Sequence, residues 1–288
     1  MCLILSHIGK KLPNHLYNCI EQTKKHFDGK IYLITDSPTN DLEKKFDIEV
    51  ISPNFSNEKF LRIIGFNFYT YPSKEFWLYS LARFFFIEEF VEKNDIKNFV
   101  MFENDVLIYY NLNELMQKLI KTDERIFFTI GDETRITTGF SFFKHWSDLK
   151  KINDDIIDII QNQTDLIDVY QNYSSCCPSE MVFLRKISKD KKYINPLPLF
   201  PEDKYYEELN FVFDPAGYGQ FLGGTSAEMN GGDNYIDENT YIGLKLKQNI
   251  YRVFFDEKEK YPYLLDSFGK RTRLFNLHIH SKNLKKFM

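Results

Sequence analysis

The sequence predicts an α/β fold, a Rossmann-type, mostly parallel central sheet flanked by helices, in a single domain. Three observations carry that prediction. Short unbroken apolar runs, Cys2-Leu3-Ile4-Leu5, Ile31-Tyr32-Leu33-Ile34 and Phe99-Val100-Met101-Phe102, read as strands buried on both faces. The first two runs flank a helical pattern within about 35 residues, the spacing of a right-handed βαβ unit. Several runs then stop at acids, namely Asp36, Glu103-Asn104-Asp105 and Asp132-Glu133. Ligands of open α/β sheets lie just beyond the carboxyl ends of strands, where such acids would meet them.

At 288 residues, with 43% hydrophobic and 27% charged, the chain has the composition of a soluble globular protein with a substantial core. Its abundant Phe, Tyr, Asn, Lys and Ile are all encoded by AT-rich codons, so Lys runs and aromatic clusters carry no functional weight. A formal charge of −4 gives no electrostatic case for nucleic acid. No stretch approaches the ~20 apolar residues that span a bilayer, and no leader pattern opens the chain, so a cytoplasmic location is expected. Cys2, Cys19, Cys176 and Cys177 lack zinc-ligand spacing and are expected to be reduced thiols. No internal repeat or low-complexity linker divides residues 1–288.

In order along the chain, Cys2–Leu5 predicts a strand and Ser6-His7-Ile8-Gly9 the loop after it. Pro13 suits the first turn of a helix continued by Leu16, Cys19 and Ile20. Lys30–Thr35 predicts a second strand and Ile48–Ile51 a third. Asp36, ending the second, is placed either to hydrogen-bond a ribose or base or to act as a turn acid. Ser73 caps an apolar helix through Val91 that carries Arg83 in its middle. A buried guanidinium needs a carboxylate or phosphate partner, which makes Arg83 a structural ion pair or a contact to substrate or Glu103. Beyond the central strand, Glu103 and Asp105 are two residues apart, and in extended chain they share a face. Two such carboxylates suit a hard divalent cation, while a plain polar loop is the alternative.

Leu112–Lys121 predicts a helix, Arg125–Ile130 and Thr137–Phe143 strands, and Asp148–Val169 a helical stretch. Gly139 would allow a close approach within its strand. Ser179 caps a helix that opens on Glu180, either a first-turn acid complementing the helix dipole or an active-site carboxylate. Ile194–Pro198 reads as an edge. Four of the 13 glycines fall between Phe211 and Gly224, and Gly231-Gly232 follow, so the backbone there turns tightly or meets a ligand. Ile250–Phe255 predicts a strand, and Leu274–Lys282 closes the fold. On that last segment His278 and His280 face one side if extended. His280 can then complete a metal shell begun by Asp105, and Lys282 can neutralise phosphate.

This order of features resembles the GT-A nucleotide-sugar-dependent glycosyltransferases. The features are an N-terminal βαβ region, an arginine-bearing helix, the D-x-D-type Glu103-Asn104-Asp105, a Thr-Gly-Phe-Ser strand and a C-terminal histidine and lysine. Glu103 departs from the usual first Asp, and Asp214–Gly224 resembles a D-x-A-x-x-Q-x-x-G-G-type stretch with Pro215 and Tyr218 as variations. The resemblance implies a GT-A-like domain, with residues 1–110 its nucleotide-binding half and 111–288 its acceptor half and C-terminal metal and phosphate segment. It implies Mn²⁺ or Mg²⁺ on Glu103, Asp105 and His280. Nucleotide contacts would come from Ser6, His7, Asp36, Arg83 and Lys282. A UDP-sugar would be the donor and a glycan or other hydroxyl the acceptor. Glu180 and Asp214, with Asp132 as a weaker third, are the candidate bases. A sugar-nucleotide nucleotidyltransferase and a non-catalytic glycan-binding protein on a GT-A-like fold are the alternatives. The first is disfavoured because Ser6-His7-Ile8-Gly9-Lys10 lacks a glycine- and arginine-rich loop.

Overall fold

The computed structural model describes residues 1–39, 42–66, 73–173, 178–225 and 234–288. The strands are β1 (Cys2–His7), β2 (Lys30–Thr35), β3 (Glu49–Ile51), β4 (Lys97–Met101), β5 (Val106–Ile108), β6 (Ile126–Ile130), β7 (Ile136–His145), β8 (Asn195–Pro196), β9 (Tyr251–Asp256), β10 (Tyr261–Asp266), β11 (Arg271–Arg273) and β12 (Asn276–His278). The helices are α1 (Asn14–His26), α2 (Leu42–Phe46), α3 (Glu58–Ile63), α4 (Lys74–Lys93), α5 (Leu112–Lys121), α6 (Trp146–Gln161), α7 (Gln163–Asn172), α8 (Glu180–Lys191), α9 (Tyr206–Leu209), α10 (Gly217–Gly219) and α11 (Tyr241–Lys247).

A seven-stranded sheet in the order β3-β2-β1-β4-β7-β6-β8 forms the centre. Its pairings are parallel except those of β7, which runs against both β4 and β6. The mostly parallel sheet flanked by helices that the sequence predicts is therefore present. The exception has a simple cause. Only residues 131–135 separate β6 from β7, and a connection that short can join only antiparallel neighbours.

Alternation along the strands builds two cores. Leu3 and Leu5 of β1 pack with Leu16, Cys19 and Ile20 of α1 and Leu115 of α5. Cys2 and Ile4 point the other way, to Leu81 and Phe85 of α4, Ile152 of α6 and Phe183 of α8. Covering both faces explains why these strands are unbroken apolar runs.

The topology at β4 positions the candidate site. After Met101 the chain turns, with Val106 N–H bonded to the Glu103 carbonyl at 3.1 Å. It then leaves the main sheet as β5, which pairs antiparallel with β12 so that Val106 faces His278. That pairing carries the C-terminal histidines to the acids.

Several expectations are corrected. β1 continues through Ser6 and His7, leaving Ile8 and Gly9 as the loop. Residues 148–169 form two helices, because Asn162 breaks the run and its side chain caps α7 through Thr164 and Asp165 N–H. β10 and β11 extend β9 into a three-stranded antiparallel ribbon that the sequence reading did not anticipate. Cys2 and Cys19 are free, buried thiols. Cys176, Cys177, Gly231 and Gly232 lie outside the described residues. No described helix is long and apolar enough to cross a membrane.

Candidate active site

Glu103 and Asp105 lie in a turn and not on extended chain, yet both carboxylates reach one imidazole. His278 Nε2 is 3.0 Å from Glu103 Oε2 and 3.3 Å from Asp105 Oδ1. Neither approach is aligned as a hydrogen bond, so both ring nitrogens of this buried histidine lack a hydrogen-bond partner. The ring is pressed against β7. A Cβ on Gly139 would come 2.7 Å from His278 Nδ1, so the close approach expected at Gly139 is that of this side chain. His280 packs edge-to-face on His278 with ring centroids 4.5 Å apart and its Nδ1 meets Gln220 Nε2 at 2.8 Å. Lys282, in a left-handed conformation just after the segment, pairs with Asp105.

Electrostatics follow from this crowding. Burial disfavours ionised Asp105, but His278 and Lys282 outweigh it and hold the carboxyl below the usual range. Glu103 is likewise held well down, burial being overcome by Arg83 and His278. Burial opposes a charged His278, yet Asp105 and Glu103 raise it to about 10. Burial, with charged His278 beside it, lowers His280 to about 4.

A second cluster adjoins the first. Arg83 Nη2 lies 2.7 Å from Glu103 Oε1, 2.5 Å from Thr138 Oγ1 and 3.3 Å from Glu180 Oε1. Arg83 thus makes the expected contact to Glu103. Glu180 is only 3% exposed and begins α8 without facing solvent. Burial raises its carboxyl to about 7, with Arg83 offsetting part of the effect, and its Oε2 has no hydrogen-bond partner.

Beside these groups a cleft of about 460 Å³ opens, lined by Ser6, His7 and Gly9 at the end of β1, His15 of α1, Arg83, Asp105 and Lys282. Asn104 spans its floor. His7 Nε2 reaches the Lys11 carbonyl at 3.0 Å, which assigns its hydrogen there, and its Nδ1 then accepts from Asn104 Nδ2 at 3.4 Å. The Asn104 oxygen in turn accepts from His15 Nε2 at 3.0 Å. Asp36 is exposed and accepts from Gly9 N–H at 2.7 Å, so its carboxylate fixes the loop as a turn acid. It is not among the described residues that line the cleft.

The sequence-predicted bases separate here. Asp214 is fully buried, with Oδ1 accepting from Ala216 and Tyr218 N–H and Oδ2 from Gly219 and His278 N–H, all at 2.8–2.9 Å. It anchors α10 to β12 and, like Glu180, is not among the described residues that line the cleft. The glycine signal beside it has the same origin, since a Cβ on Gly219 would fall 2.2 Å from the His278 carbonyl oxygen. Asp132 similarly holds the loop between β6 and β7 through Thr134 and Arg135.

Asp105, His278 and His280 each offer one ligand atom, all within 4.8 Å of one another. The His278 nitrogens, beside an ionised carboxylate, fit a divalent cation that accepts nitrogen and oxygen donors. On binding, such a cation would take the place of the proton that Asp105 and Glu103 stabilise on the ring. This group contains His278 where the sequence reading placed Glu103, whose Oε1 is instead occupied by Arg83 and Thr138. His278 was visible in the His-x-His spacing. Thr138 opens the Thr-Gly-Phe-Ser stretch, though its bond to Glu103 was not signalled, and no motif signalled His15 or the bridging role of Asn104.

No family model matches this chain. No curated protein matches it either. Among solved structures it is similar to apo mouse xyloside xylosyltransferase 1, with a TM-score of 0.45, 9% identity, and coverage of 68% of this chain and 84% of that one. It is also similar to the galactosyltransferase LgtC in complex with donor and acceptor sugar analogs, with a TM-score of 0.44, 13% identity, and coverage of 69% and 73%. A third similarity is to apo GlyE, a glycosyltransferase of Streptococcus pneumoniae TIGR4, with a TM-score of 0.42, 12% identity, and coverage of 68% and 44%.

Proposed function

We propose that this protein is a metal-dependent glycosyltransferase that moves a sugar from a nucleotide-diphosphate donor, a UDP-sugar, to a glycan or other hydroxyl acceptor. The observation that carries the reading is the convergence of Asp105, His278 and His280 with Lys282 at the carboxyl end of β4, beside a cleft opening on the β1 loop. Cleaving a sugar–diphosphate bond leaves negative charge on the departing phosphate, and that charge must be met where it forms. Asp105, His278 and His280 would hold the cation, with Glu103 keeping His278 in place. Two imidazoles favour Mn²⁺ over Mg²⁺, which prefers oxygen ligands. When bound, the cation supplies Lewis-acid stabilisation of the leaving diphosphate.

This chain's own groups do the rest. Lys282 is 47% exposed at the cleft rim and can exchange its partner Asp105 for a phosphate oxygen. The Ser6–Gly9 segment, fixed by Asp36, receives the nucleoside, so the nucleotide half is residues 1–110 and the acceptor half the remainder. Arg83 orients Glu103 and Glu180 from below. Glu180, which adjoins the cleft through Arg83 and does not itself line it, is the base we favour, because burial raises its carboxyl to about 7 and one oxygen is unclaimed.

Incubation with a panel of nucleotide sugars, with and without Mn²⁺, tests the reading through release of nucleoside diphosphate. Release from one donor class only with Mn²⁺, lost in His280→Ala, is the expected result. Metal-independent sugar binding with no turnover of any donor would replace it with the glycan-binding alternative.

A further inference from the structure

The ribbon β9-β10-β11 presents an outer face that the transfer chemistry does not use. Its register places Phe254, Tyr263 and Arg273 in one row and Arg252, Leu265 and Arg271 in the next. Directly opposed residues share a face, so three arginines and two rings lie together. The guanidiniums cover rings: Arg271 over Tyr263 at 4.5 Å, Arg273 over Phe211 at 4.9 Å and Arg252 over Phe254 at 5.7 Å. None of the three forms an ion pair with a carboxylate among the described residues. Of the ribbon's acids, Asp256 accepts from Lys258 and Glu259 N–H, Asp266 from Phe268 and Lys270 N–H, and Glu257 pairs with Lys260.

At the tip of the β10–β11 hairpin Phe268 is 94% exposed, and Lys270 and Arg271 follow it. Phe254 and Arg252 also border a recess of about 720 Å³ lined by Phe221, Leu222, Val253 and Phe287 together with Lys247 and Glu257. A bare phenyl ring at a turn, with unpaired cations beside it, matches an acidic bilayer. The ring enters the acyl boundary while the cations meet lipid phosphates. A soluble anionic glycan would use the arginines and leave Phe268 without a purpose.

We propose that this ribbon docks the protein peripherally on an anionic membrane surface, with Phe268 inserted and Arg252, Lys270, Arg271 and Arg273 on the lipid phosphates. Sedimentation of the full chain with vesicles tests it. One set is phosphatidylcholine alone and the other holds an equal part of phosphatidylglycerol. Binding is expected only to the mixed vesicles and is lost at high salt. Phe268→Ser should weaken it about tenfold. Arg252→Gln and Arg271→Gln should each weaken it about fivefold. All three side chains are exposed, so the melting temperatures should not move and a folding defect is separable. Failure to bind mixed vesicles, or binding that these substitutions leave unchanged, overturns the proposal. Capture by soluble heparin with Phe268→Ser unaffected and no vesicle binding also overturns it, in favour of a glycan surface.

Discussion

Two of the charged side chains of helix α4, Arg83 and Glu88, lie in opposite conditions. Glu88 is 4% exposed, and its carboxylate is fully met by Lys59 and Asn153 at 2.7 Å and by Lys150 at 3.5 Å. Lys59 holds Asp154 as well. Around Arg83 the charges also meet, but Arg83 Nε, Glu180 Oε2 and both His278 nitrogens have no hydrogen-bond partner. Buried polar atoms are nearly always satisfied, so a cluster of orphans marks a place held open for something else. In the Glu88 cluster the carboxylate is closed off, the Asn153 Oδ1 beside it being the one unpartnered atom, and the cluster ties α4 to α3 and α6. The Arg83 cluster is left open toward the cleft.

The contrast can be broken at either end. Glu88→Ala should cost about 3–5 kcal/mol in chemical denaturation, because cations gathered around a buried carboxylate lose it. Nucleotide affinity of the folded fraction should be unchanged. An altered affinity at unaltered stability would reverse the assignment of the two clusters.

Glu180→Gln gives the next largest effect and has a pH signature. The folded carboxyl titrates near 7, above its ordinary value of 4.5. Its contribution is therefore fully present at low pH and is lost as pH rises between those values. The lost stability is on the order of 3 kcal/mol. The neutral variant does not lose it, so it should match the parent near pH 4 and exceed it at pH 8. Parallel stability curves across that range would contradict the raised carboxyl.

Gly139→Ala sharpens the comparison with the smallest change. Its Cβ would sit 2.7 Å from His278 Nδ1, and overpacking of this kind costs about 1–3 kcal/mol. Because the ring it displaces belongs to the candidate metal group, Mn²⁺ binding by calorimetry should weaken along with the melting temperature. Lost stability with intact Mn²⁺ affinity would remove His278 from that group.

The frame of the molecule was legible in the sequence wherever one physical demand dominated. β1, β2 and β4 are buried on both faces, and the apolar runs record that directly. That Arg83 needs a carboxylate was legible because a buried guanidinium must be paired, and the structure selects Glu103 among the partners the sequence left open. The backbone bonding of Asp214 was not legible, because an acid beside glycines looks the same whether it faces a ligand or collects backbone N–H groups. The exchange of Glu103 for His278 depended on the β5–β12 register, a pairing between segments some 170 residues apart. The β10–β11 hairpin escaped because its outer face carries Arg, Tyr and Leu without the polar alternation of an ordinary exposed strand.

The central claim is that Asp105, His278 and His280 bind a cation that in turn recruits a nucleoside diphosphate. Its most direct test is thermal stability with each nucleoside diphosphate, with and without Mn²⁺, in the parent chain and in Asp105→Ala. A ligand at a hundred times its dissociation constant adds about 2.7 kcal/mol, a readable melting shift. The account predicts that one nucleotide, UDP, raises the melting temperature only with Mn²⁺ and that Asp105→Ala abolishes the rise. A shift that ignores Mn²⁺ or survives the substitution, or no shift with any nucleotide, would contradict it.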